Sequence, residues 1–354
     1  MKKSSIMGHM KSGPSLEDRF QGCLLGLAIG DALGYPTEFL TLSQIQERYG
    51  PSGIQDLLGN PALHSDDTQM SISVSLALIK AGHASVHKLM EALSKEFLNW
   101  LRSPENDRSP GNTCIEGCQR LEAGVLWNEA GIVESKGCGA NMRVAPIGLY
   151  YWNSPEKLRL VARCSALITH AHPAALIAAE VTAFCVAWAV QGMPPADYLD
   201  RIRSLRNSSV EAWDEPLGGS WKRGQFASPQ HYLNAGWNQV AGELDKIPSA
   251  LSTNAPDVCE TLGGGWVAEQ ALACALACVL ITPNDYRAIV QRGANSSGDS
   301  DSIASIAGAI SGAYLGVNAI PRDWRKKIEN RQTLIDLSKQ LYVEYQKEPL
   351  LTGM

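Results

Sequence analysis

Two short acidic motifs hold the residues best suited to chemistry in this chain: Ser65-Asp66-Asp67-Thr68 and Asp299-Ser300-Asp301-Ser302. Each stands immediately before a helical run, the first starting near Met70 and the second containing Gly308. Taken singly, either reads as a helix cap, because Ser and Asp satisfy the free N–H groups of a first turn and favour its dipole. Taken together, they concentrate four carboxylates and two pairs of hydroxyls at helix starts with no Lys or Arg within four residues; the nearest basic neighbour is His64. Were the two starts to converge in a poorly solvated site, the repulsion would be severe without counter-ions. The donors are all oxygen, with no Cys or His in either motif, which suits hard divalent cations. Two Mg²⁺ would balance four carboxylates, and a pair roughly 3.5–4 Å apart makes a two-metal hydrolytic centre. Spacing alone does not bring the segments together.

Two other segments carry candidate groups. In Gly30-Asp31-Ala32-Leu33-Gly34-Tyr35-Pro36-Thr37-Glu38-Phe39 a helix is expected to end near Gly34 and Pro36, leaving Glu38 on a turn as a solvated or a catalytic carboxylate. Gly137-Cys138-Gly139-Ala140-Asn141-Met142-Arg143 is a loop of small residues whose backbone N–H groups can cradle phosphate. It matches neither a Walker A motif nor a dinucleotide fingerprint.

The elements that must position these groups read as helices almost throughout. Apolar residues recur with helical period over Phe20–Leu33, Met70–Ala81, Val86–Leu101, Leu158–Thr169, Ala174–Gln191, Val267–Ile281, Ser302–Leu315 and Thr333–Tyr345. Strict alternation is almost absent, so few strands are expected. Gly22, Gly26, Gly30 and Gly34 recur every four residues, as do Gly308, Gly312 and Gly316. Each glycine costs a helix roughly 1 kcal/mol relative to alanine, so such rows point to helices whose backbones approach closely. No linker or composition shift divides the chain, and the expected fold is all-α: a compact single domain, a multi-helix orthogonal bundle with a binuclear metal cleft. Its expected bounds are 19–347, between a disordered tail at 1–18 and a C-terminal tail at 348–354.

Composition narrows the function classes. Hydrophobic residues make up 45% and charged residues 19% of 354, a globular profile rather than a disordered one. A net charge of −5 leaves no basic stripe for nucleic acid. The longest apolar stretch, Ala174 to Val190, carries Glu180 and Thr182 and reads as a buried core helix rather than a membrane span. The start, MKKSSIMGHMKSGPS, has no apolar run of signal-peptide length. Nine cysteines, with Cys114 and Cys118 and likewise Cys274 and Cys278 four apart, read as buried reduced thiols and fit a cytoplasmic protein.

The stretches GCLLGLAIGDALGYPTEF, SDDTQMSISVSLALI, GCGANMRVAPIGL, ITHAHPAALIAAEVTA, GGGWVAEQALACALACVL and SGDSDSIASIAGAISGAYLG, in that order over Arg19 to Gly316, resemble the ADP-ribosylglycohydrolase family. That family includes the dinitrogenase-reductase-activating glycohydrolases and the ADP-ribosylarginine hydrolases. The resemblance implies two Mg²⁺ ions, with Mn²⁺ able to substitute, held by Ser65, Asp66, Asp67, Asp299, Asp301 and Ser302, with Asp301 shared. Where the family usually has Thr, this chain has Ser65 and Ser302, which keep the hydroxyl. Glu38 matches an acidic residue linked to catalysis, and the 137–143 loop (Gly137, Gly139, Ala140, Asn141) matches one that contacts a diphosphate. Cys138 stands there in place of the usual Asn. His170 matches a cleft-lining histidine, Trp266 an aromatic position that stacks on the nucleotide or packs, and Asp107 an Asp contributed to the cleft in a stretch where the match is poorer.

The implied activity is hydrolysis of the bond between C1 of ADP-ribose and a protein side chain, most simply an arginine guanidinium nitrogen. The base is left open among Glu38, Asp66 and Asp301. The implied partner is an ADP-ribosylated protein. Other readings are a non-catalytic ADP-ribose-binding protein on the same fold, a di-metal phosphatase, and an immunity protein that neutralises an ADP-ribosylating toxin.

Overall fold

The computed structural model describes residues 13–253 and 255–347. Helices carry the architecture, and among the described residues the only β-pairings are isolated bridges: Ala62 with Ile328, Ile132 with His170 and Gly137 with Val267. The observed helices Leu16–Gly34, Asp66–Ala81, Val86–Leu101, Pro155–Leu167, Pro173–Val190, Ala268–Ile281, Ser300–Leu315 and Arg331–Tyr345 follow the expected set to within a few residues. The first helix begins ahead of the expected boundary at Arg19. Ser15 caps it, its hydroxyl accepting from the Asp18 N–H while its own N–H donates to the Asp18 carboxylate. Residues 1–12, where the rest of the expected tail and any toxin contact fall, lie outside the described residues, as do residues 348–354.

Helix Pro173–Val190 is long and apolar enough to cross a membrane, yet every residue of it is buried within the protein. Its Glu180 is held by Arg159 at 3.2 Å and Arg163 at 2.8 Å, so the buried charge is paired. All nine cysteines are free thiols, eight of them buried.

The glycine rows explain the centre of the fold. Helices Leu16–Gly34 and Ser300–Leu315 run antiparallel with their backbones in contact. A Cβ on Gly22 would lie 2.2 Å from the Gly312 carbonyl oxygen, one on Gly26 2.4 Å from that of Gly308, and one on Gly30 2.1 Å from that of Ala304. At Gly34 the added carbon would lie 2.5 Å from Asp301 Cα. The C-terminal end of one helix is thereby set against the acidic start of the other. From Gly22 to Gly34 every residue of the first helix is buried, some in the main core and others, such as Leu25 and Ile29, against Tyr286, Val290 and Trp324.

Gly30→Ala forces these backbones apart and is expected to destabilise the protein by roughly 1–3 kcal/mol or more. Gly242, whose Cβ would meet nothing within 4 Å, serves as the control: Gly242→Ala should be neutral or stabilising by about 0.5–1 kcal/mol. Urea unfolding of both variants checks this, and equal effects would contradict the packing account.

Candidate active site

Two helix starts and one helix end meet at a cavity of about 300 Å³. Ser65 is the N-cap of helix Asp66–Ala81, and its hydroxyl accepts from the Asp67 N–H. The cap reading of Ser65 therefore holds, and Ser65 does not line the cavity, whereas Asp66 and Asp67 do. Asp299 is the N-cap of helix Ser300–Leu315, but its side chain makes no capping hydrogen bond. It lines the cavity with Asp301 and Ser302. The first helix ends at Gly34, passes through a single 3₁₀ turn, Tyr35–Thr37, and presents Glu38. Thr37 anchors that turn through its hydroxyl to the carbonyls of Gly34 and Ala294 and to the Ser300 hydroxyl. The next residues pair with Gly298, Phe39 N–H to its carbonyl and its N–H to that of Leu40, so Glu38 is pinned beside Asp299. Carboxylate oxygens of Glu38, Asp299 and Asp301 lie within 4.8 Å of one another.

The electrostatics are those of a site with too few positive charges. None of the ion pairs among the described residues involves Glu38, Asp66, Asp67, Asp299 or Asp301. Burial lifts the Glu38 carboxyl to about 8, helped by Asp299, Asp66 and Asp31, with the Ser109 hydroxyl partly offsetting it. Burial likewise lifts Asp66 to about 8, against the Gly111 N–H that it accepts at 3.1 Å. Asp67 and Asp301 are pushed well above the usual carboxylate range by burial and then by neighbouring carboxylates. Asp67 Oδ2 and Glu38 Oε2 are buried with no hydrogen-bond partner. An all-oxygen donor set with unpaired charge and orphaned oxygens fits a divalent cation, so this is a candidate acidic metal site.

The other predicted residues divide. Gly137, Gly139, His170 and Trp266 line the cavity, whereas Ala140, Asn141 and Asp107 do not. Ala140 is buried within the 3₁₀ turn Cys138–Ala140. The buried Asn141 donates to the Ala268 carbonyl, and its N–H serves the Cys138 carbonyl. Asp107 is exposed and does not line the cavity, whereas Ser109, Pro110 and Gly111 of the same loop do. His170 accepts or donates at Nδ1 to the Thr169 hydroxyl at 2.8 Å. Burial, and then Arg143, lowers its pKa to about 3, so it is neutral. Trp266 stacks on Phe39 at 5.1 Å across the mouth, the two being 43% and 66% exposed.

Several residues that matter were not singled out. Asp31, buried in the first helix, accepts from the N–H groups of Ser65 and Thr68 and from the Thr68 hydroxyl, so it locks the start of the Asp66 helix. Its signal was a charged residue inside the otherwise apolar stretch from Gly22 to Gly34. Arg143 is buried over the Phe97 ring and holds the carbonyls of Gly139 and Ser165, which fixes the glycine loop. The Cys138 thiol donates to Asp299; Phe39 carried no signal beyond its place after Glu38.

Fold and site thus define an all-helical domain with carboxylates from two helix starts around one cavity. The sequence model of ADP-ribosylglycohydrolase matches residues 12–350, and the chain belongs to that family of glycohydrolases. It is 27% identical over 322 residues to the ADP-ribosyl-[dinitrogen reductase] glycohydrolase of Rhodospirillum rubrum, covering 90% of this chain and 92% of that one. It is 26% identical to the ADP-ribosylarginine hydrolase Tri1 of Serratia proteamaculans, covering 92% and 79%. A solved structure described as an ADP-ribosylglycohydrolase-related protein complex superposes with a TM-score of 0.68 at 25% identity, covering 93% of this chain and 99% of that one.

The raised carboxylates make a pH prediction for the metal-free protein. Glu38 and Asp66 bind protons up to about 8 when folded but only to roughly 4 when unfolded. The folded state therefore holds more protons in between, and its stability falls as pH rises toward about 8. The depressed His170 and His172 act in the opposite sense at lower pH, and above roughly pH 7 they are neutral in both states. In EDTA the thermal midpoint should drop between roughly pH 7 and 9, and divalent cation should shrink that drop. A midpoint that rises over this window contradicts the electrostatic account.

Proposed function

We propose that the protein is a magnesium-dependent hydrolase that removes ADP-ribose from modified proteins, the linked atom being an arginine guanidinium nitrogen. One observation carries the reading: the Glu38, Asp299 and Asp301 oxygens within 4.8 Å of one another, on the cavity that Asp66 and Asp67 also line. The all-oxygen set favours a hard cation over a thiophilic one as the working ion, and the four aspartates match the charge of two. Asp66, Asp67, Asp299 and Asp301, with the Ser302 hydroxyl, would hold the ions, while Ser65 contributes as the cap beneath them. When bound, magnesium supplies a water of lowered pKa and polarises oxygen ligands.

The remaining chemistry belongs to the chain. Glu38 is the candidate base, because it sits on a turn with one oxygen unpartnered, and burial, then the neighbouring carboxylates, raise its affinity for a proton. Cleavage at C1 of the ribose develops positive charge, and the surrounding carboxylates stabilise it. Gly137 and Gly139, with no side chains, leave the backbone open to a close-lying diphosphate, and the neutral His170 adds no charge beside it. The Phe39–Trp266 pair offers aromatic faces at the mouth. The arginine linkage is supported by the Serratia relative, which is named an ADP-ribosylarginine hydrolase.

Incubation with an arginine-ADP-ribosylated protein should release free ADP-ribose, read by mass spectrometry, with Mg²⁺ and not with EDTA. Asp301→Ala should reduce release by roughly a hundredfold or more while leaving the helical circular dichroism unchanged. Release undiminished by EDTA or by Asp301→Ala contradicts the site assignment; release only from a serine-linked target replaces the linkage.

A further inference from the structure

We propose that Cys138 gives this cavity a second cation mode, in which a thiophilic divalent ion such as Cd²⁺ or Zn²⁺ is held by the Cys138 sulfur together with Asp299 and Ser302. The inference rests on reading the acidic cavity as a cation site, and it adds a soft donor to a set that the motifs alone make wholly hard.

Cys138 differs from the other eight cysteines in being only partly buried, and it lines the cavity. Its Sγ donates to Asp299 Oδ2 at 2.8 Å and lies 3.4 Å from Ser302 Oγ. Ser302 Oγ in turn lies 3.3 Å from Asp67 Oδ1. The other Asp67 oxygen is buried without a partner on a residue 1% exposed, and Asp67 faces the same cavity. Sulfur and four oxygens are therefore strung along the cavity, ending in Asp67 Oδ2, an acceptor that lacks a donor.

The spacings suit a shared ion. Metal–sulfur and metal–oxygen bonds of about 2.3 and 2.0–2.2 Å, at a tetrahedral angle, place the two donors about 3.5 Å apart. The Cys138–Ser302 separation already matches. The Cys138–Asp299 separation is shorter because a proton bridges the pair, and it opens by several tenths of an ångström when an ion takes the proton's place. In that step the S–H bond breaks, an S–metal bond forms and the proton leaves to solvent; no electrons change hands. A soft ion gains from the sulfur, whereas Mg²⁺ does not, so the two kinds of ion compete for Asp299 and Ser302.

Cys114 is the internal control. It also borders the cavity, but its thiol is fully buried, with Arg143 Nη1 at 3.5 Å.

The test titrates the metal-free full chain with Cd²⁺ and follows the ultraviolet sulfur-to-cadmium charge-transfer band. A saturable band is expected in the wild type and in Cys114→Ala, and excess Mg²⁺ should suppress it. In Cys138→Ser the band should be lost and Cd²⁺ affinity, measured by calorimetry, should fall roughly 10–100-fold. No saturable band in the wild type, or an unchanged band in Cys138→Ser, overturns the proposal. Magnesium-dependent ADP-ribose release, measured on the same preparation, separates the two readings. A Cys138-dependent band without release upholds the cation assignment and removes the hydrolase reading; release without a band removes this inference alone.

Discussion

The backbone contact between helices Leu16–Gly34 and Ser300–Leu315 is the constraint from which the site follows. Side chains ordinarily hold helix axes 8–10 Å apart; here glycines at four-residue intervals remove them, and carbonyl oxygens occupy the space a Cβ would need. Because the helices are antiparallel, this contact delivers the end of one to the start of the other, and Glu38 arrives beside Asp299 and Asp301. Asp31 sits one residue after Gly30 and makes the second connection, clamping Ser65 and Thr68 and with them the start of the Asp66 helix. One helix thus positions both acidic motifs, through its missing side chains on one motif and through a buried carboxylate on the other.

This arrangement works against stability in the metal-free protein. Five carboxylates meet where burial penalises charge, and among the described residues no lysine or arginine is paired with them. Elsewhere the same fold follows the opposite practice: Glu180 in the centre of the apolar helix has two arginines, and Glu269 has Lys136. The contrast marks the cavity as a place where positive charge comes from outside the chain. A rigid helix-and-loop frame, with Arg143 fixing the glycine loop from beneath and Phe39 pinned to Gly298, keeps the carboxylates from relaxing apart.

Much of this was legible in the sequence because it is local. The 3.6-residue period located the helices, the Ser-Asp-Asp and Asp-Ser-Asp-Ser motifs located their starts, and the glycine rows announced a close approach. Glu38 on a turn followed from Gly34 and Pro36. What spacing did not contain was which helices approach which, since that depends on shapes matched across nearly 300 residues of chain. Asp31 stood out only as a lone charge in an apolar stretch, and its partners, two backbone N–H groups and the Thr68 hydroxyl, lie more than thirty residues away, where spacing does not reach. Spacing did not show which residues of the Asp107 loop reach the cavity: with Arg108 paired to Glu329, it is Ser109, Pro110 and Gly111 that line it. Cys138 filled a loop position by its backbone in the sequence reading, while its sulfur reaches Asp299 only in three dimensions.

The central claim is that two helix starts form one cation site. Crystals grown with Mn²⁺ and measured at the manganese absorption edge test it directly. The account predicts anomalous peaks inside the cavity between Asp66–Asp67 and Asp299–Asp301, two of them roughly 3.5–4 Å apart. Anomalous density confined to the protein surface, or an empty cavity at saturating Mn²⁺, would contradict it.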